Sequence, residues 1–492
     1  MTMIKKWKYL ICIPLGLAAA SCSKFDELNT DPVHPSRVTT DQSLLAGEKL
    51  SMDELYFTYV NNRVGMHYAQ YWSATDKESN SQYQLDATST TTLWSEYNQG
   101  LQNLEEVKRT NAELDETPTL KNQNAIADIL EVWIYHFLTD AFGDIPYSET
   151  IKNDDNPTPK YDHADSIYTA LLKRLDTDAA ALDPAQPSFT TGDNIYQGDV
   201  SKWKKLANSL KLRIAMRMAD ANPSAAKTAV EAAVKAGVMQ GPEDDALYLY
   251  TEDATNRFPY NNADKEPIEF VLSKTMVDYL DSLNDPRLPV YARKARATGT
   301  YIGKIYGLGT NSASEINDYS QPGTTVYSAA FPGILMTSSE VEFLLAEAVE
   351  RGMQVGGSAE EHFRKAIRNN FSFWEKISLE PMDEQAATQY ADTLSYSSDN
   401  WKNIIGTQKW IAMYMQGLQS WFERLRLDFK KPDGTPLFVA PRAGSLDPNV
   451  KDVPTRLTYP ASETSTNGAN LQTAVEHMGG DTQGIRNWWD KH

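Results

Sequence analysis

Three acidic pairs are the first places where this 492-residue chain could do chemistry: Asp154/Asp155, Asp244/Asp245 and Glu252/Asp253. Glycoside hydrolysis needs two carboxylates about 5–9.5 Å apart on opposite sides of a sugar. Adjacent residues in loop-like stretches do not set up that separation, so these acids read as solvated loop groups. Asp154, Asp155 and Asn156 together offer oxygens to a calcium ion, but the spacing and the glycine of an EF-hand loop are missing. The histidines are His34, His67, His136, His163, His362, His477 and His492. They are scattered, with no spacing typical of a metal site. His136, beside Phe137 on a helical face, reads as a packed histidine rather than a ligand or base. There is no G-x-S-x-G elbow and no H-E-x-x-H helix, and Gly307-Leu308-Gly309 lacks the rest of a phosphate-binding pattern. No catalytic residue, metal or cofactor is expected.

Non-covalent recognition is the chemistry that remains. The chain carries 25 Tyr, 11 Trp and 15 Phe, and its formal net charge is -19. Such a surface repels phosphate backbones, so nucleic acid is not an expected partner. Sugars present flat C–H faces ringed by hydroxyls; aromatic faces complement the first, and Asn, Gln, Asp and Arg the second. Two stretches combine both. In YAQYWSATDKESNSQY (68–83), Tyr71, Trp72 and Tyr83 flank a polar loop. In 301–327, Tyr301, Tyr306, Tyr319 and Tyr327 stand among Asn and Ser. These seven rings are the expected ligand contacts; the competing reading is that they pack the loops onto a scaffold. Trp94, after a TSTTT run, reads as a core residue at a helix start.

The N-terminus sets the expected address. Lys5, Lys6 and Lys8 precede an apolar run from Tyr9 to Ala20, too short to span a bilayer but suited to a signal peptide. Leu17-Ala18-Ala19-Ala20-Ser21-Cys22 resembles a bacterial lipobox. The expectation is a signal peptide over 1–21, acylation at Cys22, a tether over 22–40 and attachment to a membrane through the lipid. Cys12 and Cys22 are the only cysteines, so the body has no disulfide, thiolate metal site or thiol nucleophile.

The elements that must position the aromatic loops are helical. Ile126, Ile129, Leu130, Trp133, Phe137, Leu138 and Ala141 make one face of a helix over 121–142 that Gly143 stops. Similar stripes predict helices over 201–219, 338–351, 357–376 and 400–427, with Thr337-x-x-Glu340 as a capping box. Weaker periodicity predicts helices over 41–60, 92–116, 164–182, 224–236 and 268–283. Short connections imply antiparallel pairs. The expected fold is mainly α: a tetratricopeptide-like scaffold of helical pairs in one domain over 41–492. Long irregular loop insertions are expected around 238–267, 284–336 and 428–474, and such loops usually carry the binding residues.

Several segments, in order along the chain, resemble the SusD/RagB family and specifically its SusD-like second branch. They are FDELNTDP (25–32), HFLTDAFGDIPY (136–147), NDDNPTPKYD (153–162), GDNIYQGDVSKWKKLANSLKLRIAMRM (192–218), LNDPRL (283–288), MTSSEVEFLLAEA (336–348), TQKWIA (407–412) and PTRLTYP (454–460). WFERLR (421–426) departs from the family pattern, which is more polar there. The resemblance implies a SusD-like α/α superhelix on the outer leaflet of the outer membrane, facing the exterior. It also implies a SusC-like TonB-dependent barrel as partner and an oligosaccharide ligand that is bound but not altered. Competing readings are a peptide-binding, RagB-like member, a glycan hydrolase with a convergent carboxylate pair, and a repeat scaffold that binds only protein.

Overall fold

Thr117 and Pro118 open the longest helix as their chemistry dictates. The Thr117 side chain accepts from the Leu120 N–H, and Pro118 sits in the first turn, where its missing donor costs nothing. In a computed structural model, which describes residues 38–151, 156–260, 269–309 and 313–492, this helix, α4, runs Pro118–Phe142 and buries the apolar stripe. The expected signal peptide and acylation site, residues 1–21 and Cys22, lie outside the described residues.

Its neighbours follow in chain order: α1 (Thr40–Leu55), α2 (Ala87–Trp94), α3 (Gly100–Ala112), α5 (Ala164–Ala181), α6 (Val200–Arg217) and α7 (Pro223–Ala236). Then come α8 (Lys274–Ser282), α9 (Ser338–Glu350), α10 (Ala359–Ile377), α11 (Glu384–Thr393), α12 (Trp401–Ala412), α13 (Gly417–Leu427) and α14 (Gly468–Met478). Consecutive helices pack pairwise: α1 on α3, α3 on α4, α4 on α5, α5 on α6 and α6 on α7. A second stack, α9 on α10 and α12, joins the first where α9 meets α6. The fold is mainly α and tetratricopeptide-like. Strands are short and paired in twos: β1 (Trp72–Ala74) with β5 (Phe270–Leu272), β2 (Ile145–Pro146) with β3 (Tyr161–Asp162), and β4 (Ala246–Tyr248) with β6 (Gly333–Met336). Among the described residues no helix is long and apolar enough to cross a membrane.

Several sequence expectations are corrected. The helix read over 41–60 ends at Leu55, and Thr58–Met66 forms a π-helix instead. The stretch 400–427 is broken at Met415, which has φ 76°. The cause is a backbone-to-backbone approach: a Cβ on Gly417 would lie 2.5 Å from the Gly65 carbonyl carbon, and one on Gly65 would lie 2.4 Å from the Leu418 nitrogen. Asn61 seals the junction, accepting from Gly417 N–H at 3.0 Å and donating to Met415 C=O at 3.2 Å. The stretch 268–283 divides into β5 and α8, and the irregular region 428–474 gives way to α14 at Gly468. Trp94 ends α2 rather than starting a helix, half-buried beside Phe142 and Tyr459. Thr337 caps α9 through the Glu340 N–H, but Glu340 does not reach back. Its carboxylate accepts from Arg213 at 2.7 and 2.6 Å and from Gln419 at 3.0 Å.

That diversion reveals how the two stacks are fastened. Glu423 on α13 accepts from Arg217 at 2.7 Å, Lys409 at 2.6 Å and Arg426 at 2.7 Å, and Arg426 also grips Glu347 on α9 at 2.6 Å. All of these groups are buried. Burial alone raises the Glu423 pKa, but Arg426, Lys409 and Arg217 outweigh it and hold the carboxyl well below its usual range.

Candidate ligand-binding face

The two aromatic stretches singled out in the sequence do meet. β1 pairs antiparallel with β5, placing Trp72 opposite Leu272 and Ala74 opposite Phe270. The Leu272 N–H then donates to Ser320 C=O at 2.8 Å, and Lys304 N–H donates to Leu272 C=O at 2.9 Å. Lys304 Nζ forms a buried ion pair with Glu78 at 2.7 Å. The loop after β1 and the insertion 284–336 are thereby stitched onto one face.

Most of the rings chosen from the sequence do not line that face. Tyr71, Trp72 and Tyr83 are wholly buried, and Tyr306 and Tyr327 nearly so. Tyr71 stacks on Trp410 with ring centroids 5.1 Å apart and bonds Ser420 at 2.6 Å. Trp72 stacks on Phe270 and donates to the Tyr414 hydroxyl at 3.1 Å. The Tyr83 hydroxyl donates to Asp452 C=O and the Tyr306 hydroxyl to His67 C=O at 2.8 Å. Tyr327 stacks on Tyr260 at 5.2 Å. Rings enclosed in this way have no free face for a ligand; they fix the loops to the scaffold. Tyr301 and Tyr319 are the two that keep partial exposure. Lys294 Nζ lies 5.6 Å from the Tyr301 ring and Lys304 Nζ 5.5 Å from the Tyr319 ring.

The exposed aromatic platform is a pair that helical reading hid. Phe57 and Tyr59 stack with centroids 5.5 Å apart and planes inclined by 21°, and Phe57 is 38% exposed. In an α-helix residues two apart point in different directions. Phe57 instead caps the π-helix in an extended conformation (φ -60°, ψ 143°), which lets the rings meet. π-helical turns are frequent at functional sites. The Arg63 guanidinium lies 3.9 Å from the Tyr59 centroid. Arg63 is buried, and it donates to Glu269 through Nη2 at 2.9 Å and Nε at 3.2 Å. Asp86 lies 3.8 Å from Arg63, and the half-exposed Lys77 3.7 Å from Glu269. Backbone registration continues into β1, because Thr75 N–H donates to Glu269 C=O at 2.9 Å. The outer face of Phe57 thus stays open beside a fixed set of charged donors and acceptors, with Tyr59 held between Phe57 and Arg63. The signal in the sequence was the YFTY run (56–59) where the helical stripe ends. A cleft of about 470 Å³ lies between Ile305, Lys274 and Val439. The two rings that border it, Tyr279 and Tyr306, are buried, so it lacks a stacking surface.

Of the groups considered for catalysis, Asp244, Asp245 and His136 are engaged in buried contacts. Asp244 holds Lys205 at 2.8 Å, and Asp245 accepts from the Ser338 N–H at 2.6 Å. Burial pushes the Asp245 carboxyl up to about 7. Asp253 accepts from Thr255 in an exposed turn, and its neighbour Glu252 is exposed as well. Asp154 and Asp155 lie outside the described residues. His136 is buried, 3.2 Å from Asp140, and burial followed by the charges of Arg217 and Arg213 holds its pKa well below the usual value. One expectation is overturned: the histidines are not all scattered, because His163 and His477 stack on one another beside Asp144. A separation of more than three hundred residues conceals this in the sequence.

The family model described as starch-binding associating with outer membrane, SusD-like, matches residues 32–460. A solved chitin-binding protein is 27% identical, with a TM-score of 0.82 over 92% of this chain and 100% of that one. A SusD homologue from Bacteroides uniformis is 25% identical, with a TM-score of 0.77 over 92% and 99% of the two chains. A chitin-binding SusD homologue from Flavobacterium johnsoniae is 23% identical, with a TM-score of 0.76 over 91% and 98%. No curated protein matches the sequence. The chain belongs to the SusD-like family of starch-binding proteins associated with the outer membrane.

Proposed function

We propose that the protein captures oligosaccharides at the cell surface on the Phe57–Tyr59 platform and delivers them, chemically unchanged, to a SusC-like TonB-dependent transporter. Acylated Cys22 holds it to the outer membrane. The observation that carries this reading is the exposed, stacked ring pair beside the fixed Arg63–Glu269 couple. A pyranose face lies on the open face of Phe57, which Tyr59 backs, and its hydroxyls reach the charged rim. Tyr301 and Tyr319 extend the contact surface along the same face for a longer chain. The 27% identity to a chitin-binding protein makes chito-oligosaccharides the first ligands to try.

The test is calorimetric titration with chito-oligosaccharides, starch-derived oligosaccharides and short peptides, followed by chromatography of the recovered ligand. A glycan binds and is recovered intact; shortened glycan, or binding of peptide alone, contradicts the reading.

A further inference from the structure

We propose that Asp144, His163 and His477 form a binding site for a divalent transition-metal ion of the zinc class, one that clamps the C-terminal helix α14 to the corner between α4 and α5. The site is independent of the glycan platform. Its parts come from three distant segments. Asp144 follows Gly143 in the turn that ends α4. That turn is compact because Gly143 has φ 86° and a Cβ there would lie 2.6 Å from Met478 Sδ, at the end of α14. His163 occupies the N-cap of α5 but makes no side-chain cap bond. Asp144 does the capping in its place, its Oδ1 accepting from the Ala164 N–H at 2.9 Å. The His163 ring is therefore not needed as a cap, and it is exposed.

His477 lies in the last turn of α14, and its Nδ1 is 2.6 Å from Asp144 Oδ2. The two imidazoles lie parallel, with centroids 3.6 Å apart and planes inclined by 7°. One ligand atom from each of the three residues falls within 4.8 Å of the other two. In a tetrahedral zinc site with bonds of about 2.0–2.1 Å, ligand atoms sit about 3.3 Å apart. An ion lies in the plane of each imidazole it binds, so His163 must turn out of the parallel stack and His477 must draw back from its 2.6 Å contact with Asp144; both rings are exposed enough to do so, while the buried Asp144 stays fixed.

The donor set selects the ion. Two imidazoles and one carboxylate suit zinc, cobalt, nickel or copper; calcium and magnesium require oxygen ligands. A bound ion would join α14 to the end of α4 and the start of α5. Because the site assembles only in the folded chain, occupancy raises folding stability by mass action.

The experiment uses the tag-free mature chain with zinc chloride in equilibrium dialysis, with cobalt chloride as a visible-absorption probe and calcium chloride as the contrast. The expected result is one zinc ion per chain, a rise in the thermal midpoint, and a tetrahedral cobalt spectrum. His163→Ala and His477→Ala each weaken zinc binding at least tenfold, and the double variant abolishes the cobalt spectrum. If His477→Ala lowers the midpoint without metal, His163→Gln carries the test, since His163 makes no cap bond. Equal zinc uptake by wild type and the double variant, no uptake by wild type, or preference for calcium overturns the proposal.

Discussion

The indole of Trp72 donates to the hydroxyl of Tyr414 at 3.1 Å, and both rings are enclosed in the core. This contact ties β1 to the segment between α12 and α13, and with it the loop face to the helical scaffold. It predicts a stability phenotype for a residue whose type signals recognition. Trp72→Ala should cost about 3–5 kcal/mol of folding stability. Trp72→Phe should cost less and leave oligosaccharide affinity unchanged. Denaturant unfolding combined with titration checks both; a folded Trp72→Phe variant with lost affinity contradicts the assignment.

The platform residues should behave in the opposite way. Phe57 is well exposed and Tyr59 partly so, so Phe57→Ala and Tyr59→Ala should shift the thermal midpoint little. Phe57→Ala removes the open stacking face and Tyr59→Ala the ring that holds it in place, each worth about 0.5–1.5 kcal/mol beyond its area. Together they should weaken glycan binding by roughly tenfold or more, read by calorimetry. An unchanged dissociation constant in the double variant counts against the platform.

Much of the scaffold was legible in the sequence because its helices obey local rules. The stripe from Ile126 to Ala141, its cap at Thr117 and its stop at Gly143 are all short-range features. The breaks were not legible. The Met415 break arises from the contact of Gly65 with Gly417, and the π-helix begins at an extended Phe57. For the site, the sequence picked out two loop stretches that the fold brings together, but five of the seven rings chosen there are buried. Tyr71, Trp72 and Tyr83 stand in a polar stretch that reads as an exposed loop, yet Ser73, Thr75, Glu78, Asn80, Ser81 and Gln82 are buried along with the rings, and Ser73, Glu78 and Gln82 bond to long-range partners that no local pattern encodes. The His163–His477 stack depends on where α14 docks, which no local pattern encodes.

The buried charge network predicts a second stability effect. Glu423 accepts from three cations, so Glu423→Ala leaves Arg217, Lys409 and Arg426 short of a partner inside the protein. Breaking a buried pair from one side costs about 3–5 kcal/mol. Denaturant unfolding should show that loss. A change below about 1 kcal/mol would show that the network contributes nothing beyond a surface pair.

His67 predicts the behaviour in acid. Burial first, and then the charge of Arg63, holds its pKa at about 4. The folded state therefore binds fewer protons than the unfolded state between pH about 4 and 6.5, and stability rises with pH across that window. The His67 contribution is fully present above pH 6.5 and is lost as pH falls, to the extent of about 3 kcal/mol. His67→Gln should flatten this part of the stability–pH curve. An unchanged slope shows that other groups set it.

The most direct test is a crystal structure of the protein with a bound oligosaccharide. The account predicts one sugar ring lying flat on Phe57, its hydroxyls within hydrogen-bond reach of Glu269 or Lys77, and every glycosidic bond intact. A sugar lodged instead in the cleft between Ile305 and Val439, with the Phe57–Tyr59 surface bare, contradicts it.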